Sequence, residues 1–153
     1  MTEFTAAAAA PSVLLYRLTR ATSVRLAAAF TAAGMPDLHP RHALQLFPPL
    51  LAGGQRVTEL APRIGVTRQA TAQVVGTLER GGYLVRTADP TDRRAKLVCL
   101  TDRGRAAFGV LRDSMGAVEQ DWARALGPER VAEFREMLAL LLDESGSGGT
   151  LPG

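Results

Sequence analysis

The chain has 153 residues but a single cysteine, a single lysine, one tryptophan and two histidines. Cys99 on its own excludes an internal disulfide and any cysteine-rich zinc site, which fits a reducing compartment. His39 and His42 stand three apart with Asp37 nearby. Structural zinc needs four protein ligands and catalytic zinc three, so with no further histidine we expect no metal. There is no glycine-rich phosphate loop, no Ser/His/Asp constellation and no three-ligand metal set. Neither an enzyme nor a cofactor is therefore expected. No apolar run reaches the roughly 18 residues needed to span a bilayer. Met1 to Ala10 carries Glu3, has no basic start and only a weakly apolar alanine run, so it does not read as an export signal, and the expected compartment is the cytoplasm.

With 46% hydrophobic and 22% charged residues, the composition is that of an ordinary folded domain. Of its 18 basic residues 17 are arginine, against 15 acidic residues, for a net charge of +3. A guanidinium fork matches phosphate and the acceptor edge of guanine, so this skew permits nucleic-acid binding, although a G·C-rich genome would produce it too. Position is more informative. Residues 52–110 hold ten basic side chains (Arg56, Arg63, Arg68, Arg80, Arg86, Arg93, Arg94, Lys96, Arg103, Arg105) against five acidic, whereas residues 111–153 hold four against eight. An anionic partner is expected at the middle segment.

Thr2–Pro11 and Ser145–Gly153 offer no periodic apolar face and read as loose tails. Between them the pattern is mostly helical. Ser12 is the expected cap of a helix to about Ala33, with Leu14, Leu15, Leu18, Leu26 and Phe30 on one side. A second helix from Pro40 to about Leu50 places Ala43, Leu44, Phe47 and Leu51 at helical spacing. Thr58 is the expected cap of a short helix through Ile64, which Gly65 ends. Thr67 caps the next helix, with Thr71, Val74, Val75 and Leu78 inward until Gly81 and Gly82. Two helices joined by a glycine turn fit a helix-turn-helix, and an ordinary helical hairpin looks the same.

Tyr83–Thr87 and Lys96–Leu100 are β-prone, and Ala88–Ala95 between them reads as a turn-rich loop tipped by Arg93 and Arg94. A basic-tipped hairpin directly after a helix-turn-helix makes a winged helix, with a wing suited to the minor groove. Past Thr101, the positions Phe108, Leu111, Met115, Val118, Trp122 and Ala125 alternate spacings of three and four, the seam of a coiled coil that needs a partner. After Gly127, Pro128 opens a last helix to about Asp143, with Val131, Phe134, Leu138, Leu141 and Leu142 apolar.

The run Asp89-Pro90-Thr91-Asp92-Arg93-Arg94, continuing into Leu97-Val98-Cys99-Leu100-Thr101 and Gly104, resembles the wing of MarR-type (multiple antibiotic resistance regulator) transcription factors. So does Thr67–Thr71 continuing into Leu78–Arg86. The likeness in element order covers about residues 12–143. It implies a mainly α fold with a small β-hairpin wing, four helices before the hairpin and two after it, and an obligate-type helical dimer interface. Residues 12–36 and 103–144 would dimerise, 37–102 would form the DNA-binding lobe, and 1–11 and 145–153 would be disordered. The implied function is a homodimeric regulator, most simply a repressor, on a pseudo-palindromic operator in double-stranded DNA, released by a small aromatic or phenolic acid. Pro62 inside the first helix of the helix-turn-helix and Gly76 inside the second depart from a rigid scaffold.

Arg68, Gln69, Ala72 and Gln73 lie opposite the inward face of their helix, and Arg68, Gln69 and Gln73 are expected to meet DNA, together with Thr67 at the helix N-terminus and Asp92, Arg93, Arg94 and Lys96 of the wing. Arg94 corresponds to the family's minor-groove arginine, Asp92 to the carboxylate that steadies the tip through an arginine. Arg17, Arg20, Arg25, His39 and His42 are the candidates to line an effector pocket, and Leu14, Leu18, Phe108, Leu111, Met115, Val118, Trp122, Phe134, Leu138 and Leu141 the dimer contacts. Two other readings stay open: a helical adaptor that binds no DNA, and a thiol-based redox regulator acting through Cys99.

Overall fold

The computed structural model describes residues 9–147. Six helices and one hairpin follow in order: α1 Pro11–Ala32, α2 Pro40–Leu50, α3 Val57–Ile64, α4 Arg68–Arg80, β1 Leu84–Asp89, β2 Asp92–Leu100, α5 Asp102–Leu126 and α6 Pro128–Ser147. The chain divides into two compact units, one reaching to Ser114 and one from Met115, within α5. Among the described residues no helix is long and apolar enough to cross a membrane.

The core of the first unit draws on every element. Leu26 and Phe30 come from α1, Ala43, Leu46, Phe47 and Leu50 from α2, Leu60 and Ala61 from α3, Thr71, Val75 and Leu78 from α4, and Tyr83, Leu84, Val98 and Leu100 from the hairpin and its lead-in. Each large aliphatic group fully removed from water contributes roughly 1.5–3 kcal/mol. Two expectations are corrected here. In α2 the buried stripe is Ala43, Leu46, Phe47 and Leu50, and Leu44 and Leu51 are exposed. The helical repeat had been phased one residue off, because both sets satisfy spacings of three and four. In α1 only Leu26 and Phe30 are buried, while Leu14 and Leu15 of the expected apolar side are exposed.

Helix starts also shift. Pro11 stands at the first turn of α1, and Ala10 is the N-cap, without a side-chain bond. Proline suits that position because its missing N–H had no intrahelical acceptor. The cap of α3 is Arg56 in place of the expected Thr58: the Glu59 carboxylate accepts from the Arg56 backbone N–H at 2.9 Å, and the helix begins earlier. Thr67 caps α4 as expected, its hydroxyl accepting from the Ala70 N–H at 3.1 Å. Gly65 ends α3 at φ +67°, a left-handed conformation that glycine adopts without a Cβ penalty.

The hairpin is antiparallel, with Leu84 opposite Leu100, Arg86 opposite Val98 and Ala88 opposite Lys96. Gln55 adds a third edge through two main-chain bonds to Val98, of 3.0 and 2.8 Å. Where α5 begins, the Thr101 hydroxyl donates to the Gly82 carbonyl at 2.6 Å and accepts from the Gly104 N–H at 3.0 Å, while Thr101 N–H donates to the Tyr83 carbonyl. A Cβ on Gly104 would overlap that carbonyl oxygen. The glycine is therefore required by close approach of two backbones.

In the second unit, α5 from Met115 onward is joined to α6 by Gly127 at φ +88° and by Pro128. Trp122 and Phe134 meet edge to face, 6.0 Å between centroids. Val118 is buried, Trp122, Phe134 and Leu138 are half-buried, and Met137, Leu140, Leu141 and Leu142 are exposed. α6 continues past the expected end at Asp143. The tail expectations for residues 1–8 and 148–153 lie outside the described residues.

Candidate nucleic-acid interface

α4 is two-faced. Thr71, Val75 and Leu78 are buried, and on the other side Arg68, Gln69 and Gln73 are exposed, with exposed Thr67 at the cap. Thr71 stays satisfied in the core by donating its hydroxyl to the Thr67 carbonyl at 2.9 Å. The expected recognition side chains are all exposed, Gln69 and Gln73 one turn apart on one face and Arg68 at the first residue of the helix.

The wing differs from the expected eight-residue loop. β1 runs to Asp89 and β2 starts at Asp92, so the turn itself is Pro90 and Thr91, and Arg93, Arg94 and Lys96 lie exposed on a strand. The cause is an Asx-type closure that a composition-based reading takes for open loop: Asp89 Oδ1 accepts from the Thr91 N–H at 2.8 Å and from its hydroxyl at 2.7 Å. Asp89 Oδ2 accepts from Arg56 Nε at 2.8 Å and Nη2 at 2.5 Å. Asp92, expected to pair with an arginine, makes a longer ion pair with Arg56 at 3.9 Å and also accepts from the Arg94 N–H at 3.0 Å. The Thr91 bonds and then the Arg56 pair hold the Asp89 carboxyl at about 2, below its ordinary value of 3.8.

A second cluster lies where the hairpin, the α1–α2 connection and α5 converge. Tyr83, fully buried, donates its hydroxyl to Asp37 at 2.8 Å. Arg103 donates to the Tyr83 oxygen at 3.1 Å, pairs with Asp37 at 3.5 Å and lies 4.7 Å over the Tyr83 ring. Burial, then the Asp37 bond, raises the phenol above its ordinary value of 10. Glu79 of α4 pairs with Arg86 of β1 at 3.2 Å, tying the end of the helix to the base of the wing. Sequence reasoning missed Arg56, Asp89, Tyr83, Asp37 and Arg103 as supports. Only Asp89-Pro90-Thr91 carried a local signal, the Asp-x-Thr of an Asx turn.

The expected pocket residues fall on different grooves. Arg17 and Arg20, with Ala21 and Val24, line an open groove of about 400 Å³ on α1. His39, with Ser23, Ala27, Asp37 and Leu38, lines another of about 290 Å³. His39 Nδ1 accepts from the Arg41 N–H, and its ring lies 5.2 Å from that of half-buried His42, whose pKa burial lowers. Arg25 lies exposed on α1. Among the described residues, no group of three His, Cys, Asp or Glu side chains is placed to hold a metal ion. Cys99 is half-buried with its Sγ 3.6 Å from the Thr87 hydroxyl.

A family model described as MarR family matches residues 37–95, which run from the α1–α2 connection to Ala95 in the second wing strand. Over these residues the chain is similar to the MarR family. Among curated proteins, this chain is 38% identical over 94 residues to the transcriptional activatory protein BadR of Rhodopseudomonas palustris, covering 61% of this chain and 53% of BadR. It is 31% identical over 90 residues to the HTH-type transcriptional regulator PetP of Rhodobacter capsulatus, covering 59% and 54%. The chain thus spans about half the length of the curated relatives it matches. Among solved structures it is similar to the transcriptional repressor CouR bound to a 23-mer DNA duplex, with a TM-score of 0.73 and 24% identity over 93% of this chain and 99% of CouR. It is also similar to the PcaV regulator of Streptomyces coelicolor in complex with its natural ligand, with a TM-score of 0.66 and 25% identity over 95% and 99%. These likenesses agree with the winged-helix architecture of six helices and a two-stranded hairpin.

Proposed function

We propose that this protein is a MarR-type, sequence-specific DNA-binding transcriptional regulator that acts as a homodimer on a pseudo-palindromic operator. One observation carries the reading: exposed Arg and Gln side chains on α4, a helix that buries Thr71, Val75 and Leu78, and three exposed basic side chains on β2 belong to one compact unit. Arg68 is suited to guanine O6/N7 and Gln69 and Gln73 to adenine N6/N7 in the major groove, each good pair worth roughly 1–3 kcal/mol of discrimination. Thr67 has its hydroxyl proton free of its capping role for a phosphate. Arg94 enters the minor groove, and Arg93 and Lys96 meet phosphates.

Dimerisation is assigned to residues 12–36 and 103–144. Its support is the apolar surface left on α1 at Val13, Leu14, Leu15 and Tyr16 and on α6 at Leu140, Leu141 and Leu142, more than a monomer's surface needs. Two-fold symmetry then sets the half-sites about one helical turn apart, roughly 34–36 Å. The sign of regulation is read as repression, as for the repressor CouR; a promoter–reporter assay showing activation would place it instead with the activatory protein BadR. A small aromatic acid is the proposed effector, with Arg17 or Arg20 on the carboxylate. It releases the operator only by binding the DNA-incompetent arrangement more tightly, and DNA weakens its binding by the same factor.

The test is a fluorescence-anisotropy titration on DNA selected from a random pool. Affinity should fall steeply between about 50 and 200 mM salt. Arg94→Ala should weaken binding at least about tenfold and leave the dimer intact by light scattering. Binding that shows no sequence preference, or an undiminished Arg94→Ala variant, sinks the assignment.

A further inference from the structure

A two-stranded ribbon is marginal alone. In this wing the root is anchored, since Leu84, Val98 and Leu100 are buried, but further out Thr87, Ala88, Pro90, Thr91, Asp92, Arg93 and Arg94 are all exposed. The only buried residue of the outer wing is a charged one, Asp89. Its two oxygens do different work: Oδ1 closes the turn on Thr91, and Oδ2 receives the Arg56 guanidinium. Arg56 is itself fixed at the start of α3, because its N–H donates to Glu59 and its carbonyl accepts from the Glu59 and Leu60 N–H groups. The preceding residue, Gln55, is hydrogen-bonded to Val98 in the wing. Residues 55 and 56 therefore hold the ribbon at two points, by main chain near its root and by an ion pair at its tip.

From this geometry we infer that Arg56 is a positioning residue: it holds the wing at a set angle to the helix-turn-helix, so that the grip of Arg94 on DNA passes through the Arg56–Asp89 pair. By charge alone Arg56 is one more cation in the basic segment and reads as a phosphate contact. Its fork is already occupied by a carboxylate within the protein. The inference rests on the DNA-binding reading above for its consequence, though the pair's effect on the free wing does not.

Two consequences separate positioning from contact. Asp89→Asn removes a negative charge beside a polyanion, which by electrostatics alone tightens binding. Here it should weaken binding at least about fivefold, because a neutral amide is a poor partner for the Arg56 fork. Arg56→Ala should weaken binding comparably in the wild-type background and by less than about twofold in the Arg94→Ala background, the non-additivity expected of coupled groups. A phosphate-binding Arg56 would give the same loss in both backgrounds and would overturn the inference, as would tighter binding by Asp89→Asn. Amide hydrogen exchange of the free protein supplies the independent arm: Thr91 and Arg94 should exchange faster in both variants, while the α4 amides keep their protection and so report an intact fold. Unchanged exchange at Thr91 and Arg94 refutes the positioning role. If the wild type binds no DNA, the proposed function fails, and the exchange result still decides whether Arg56 holds the wing.

Discussion

Replacing Gly104 by alanine sets helix propensity against packing, and the two predict opposite signs. Gly104 lies in the first turn of α5, where alanine is better than glycine by about 1 kcal/mol. Propensity alone thus makes Gly104→Ala stabilising. In the structure the new Cβ would overlap the Tyr83 carbonyl oxygen and lie 3.0 Å from Leu100 Cδ2 and 3.2 Å from the Tyr83 carbonyl carbon. Two of these three atoms are backbone, so no rotamer change relieves them. Tyr83 is buried and its ring lies 6.4 Å from that of Phe47, so its peptide has little room to retreat. Overpacking of this kind costs about 1–3 kcal/mol, and an immovable neighbour places it at the upper end. Retreat would also stretch the bond from the Thr101 N–H to the Tyr83 carbonyl, worth about 1 kcal/mol. Set against the propensity gain, the net expectation is a loss of about 3 kcal/mol, or a fall of roughly 6–12 °C in Tm. Gly109→Ala, in the same helix with no atom within 4 Å of the added Cβ, is the matched control and should gain up to about 1 kcal/mol. Urea unfolding followed by circular dichroism, at one fixed protein concentration because a dimer's stability depends on it, reads both variants. If Gly104→Ala proves as stable as Gly109→Ala, the account of the α5 start is wrong.

Three further expectations concern titration. With Tyr16→Phe leaving Tyr83 as the sole tyrosine, ultraviolet titration should show its phenol ionising above pH 10, because burial and the Asp37 bond favour the protonated form. That contribution to stability is present below pH 10 and is lost as pH rises through the folded value, so Tyr83→Phe should flatten the alkaline loss. His42 is shifted the other way, by burial first and then by His39 and Arg41. The fold favours its neutral form, so stability is held above the ordinary value of 6.5 and falls on acidification. His42→Asn should melt with less difference between pH 7.5 and 5.5 than the wild type. Asp89, held at about 2, should keep the Thr91 amide protected at pH 4 and release it only as pH falls towards 2, readable by hydrogen exchange in acid.

Local chemistry made much of this molecule legible. Thr67 as a cap, Gly65 as a stop and the inward face of α4 follow from single residues and one helical period, and the structure shows them. The phase of α2 did not follow, because Ala43, Leu44, Phe47 and Leu51 match the helical template as well as the true set does. The wing turn was overestimated because an Asp/Pro/Thr/Asp run resembles a loop by composition, whereas one carboxylate closes it in two residues. The supports of the candidate site were hidden for another reason. Arg56 and Asp89 are 33 residues apart and Asp37 and Tyr83 are 46 apart, and such pairs leave no periodic trace in one sequence.

Placing the wing arginines on a strand makes the wing's length a matter of parity. Along β2, Lys96 and Val98 occupy one side of the ribbon and Leu97 and Cys99 the other, while Arg93, Arg94 and Ala95 lie in the register shift between the Ala88–Lys96 and Asp89–Asp92 pairs. Two residues added to each strand, between the Thr87–Leu97 and Ala88–Lys96 pairs, lengthen the reach and preserve the side on which the arginines emerge. One neutral residue added to each strand at the same place keeps the pairing and the charge but turns Arg93 and Arg94 to the opposite side. Wings of this construction can therefore vary in reach only in steps of two residues per strand, and a single-residue step should disable Arg94 as surely as deleting its guanidinium.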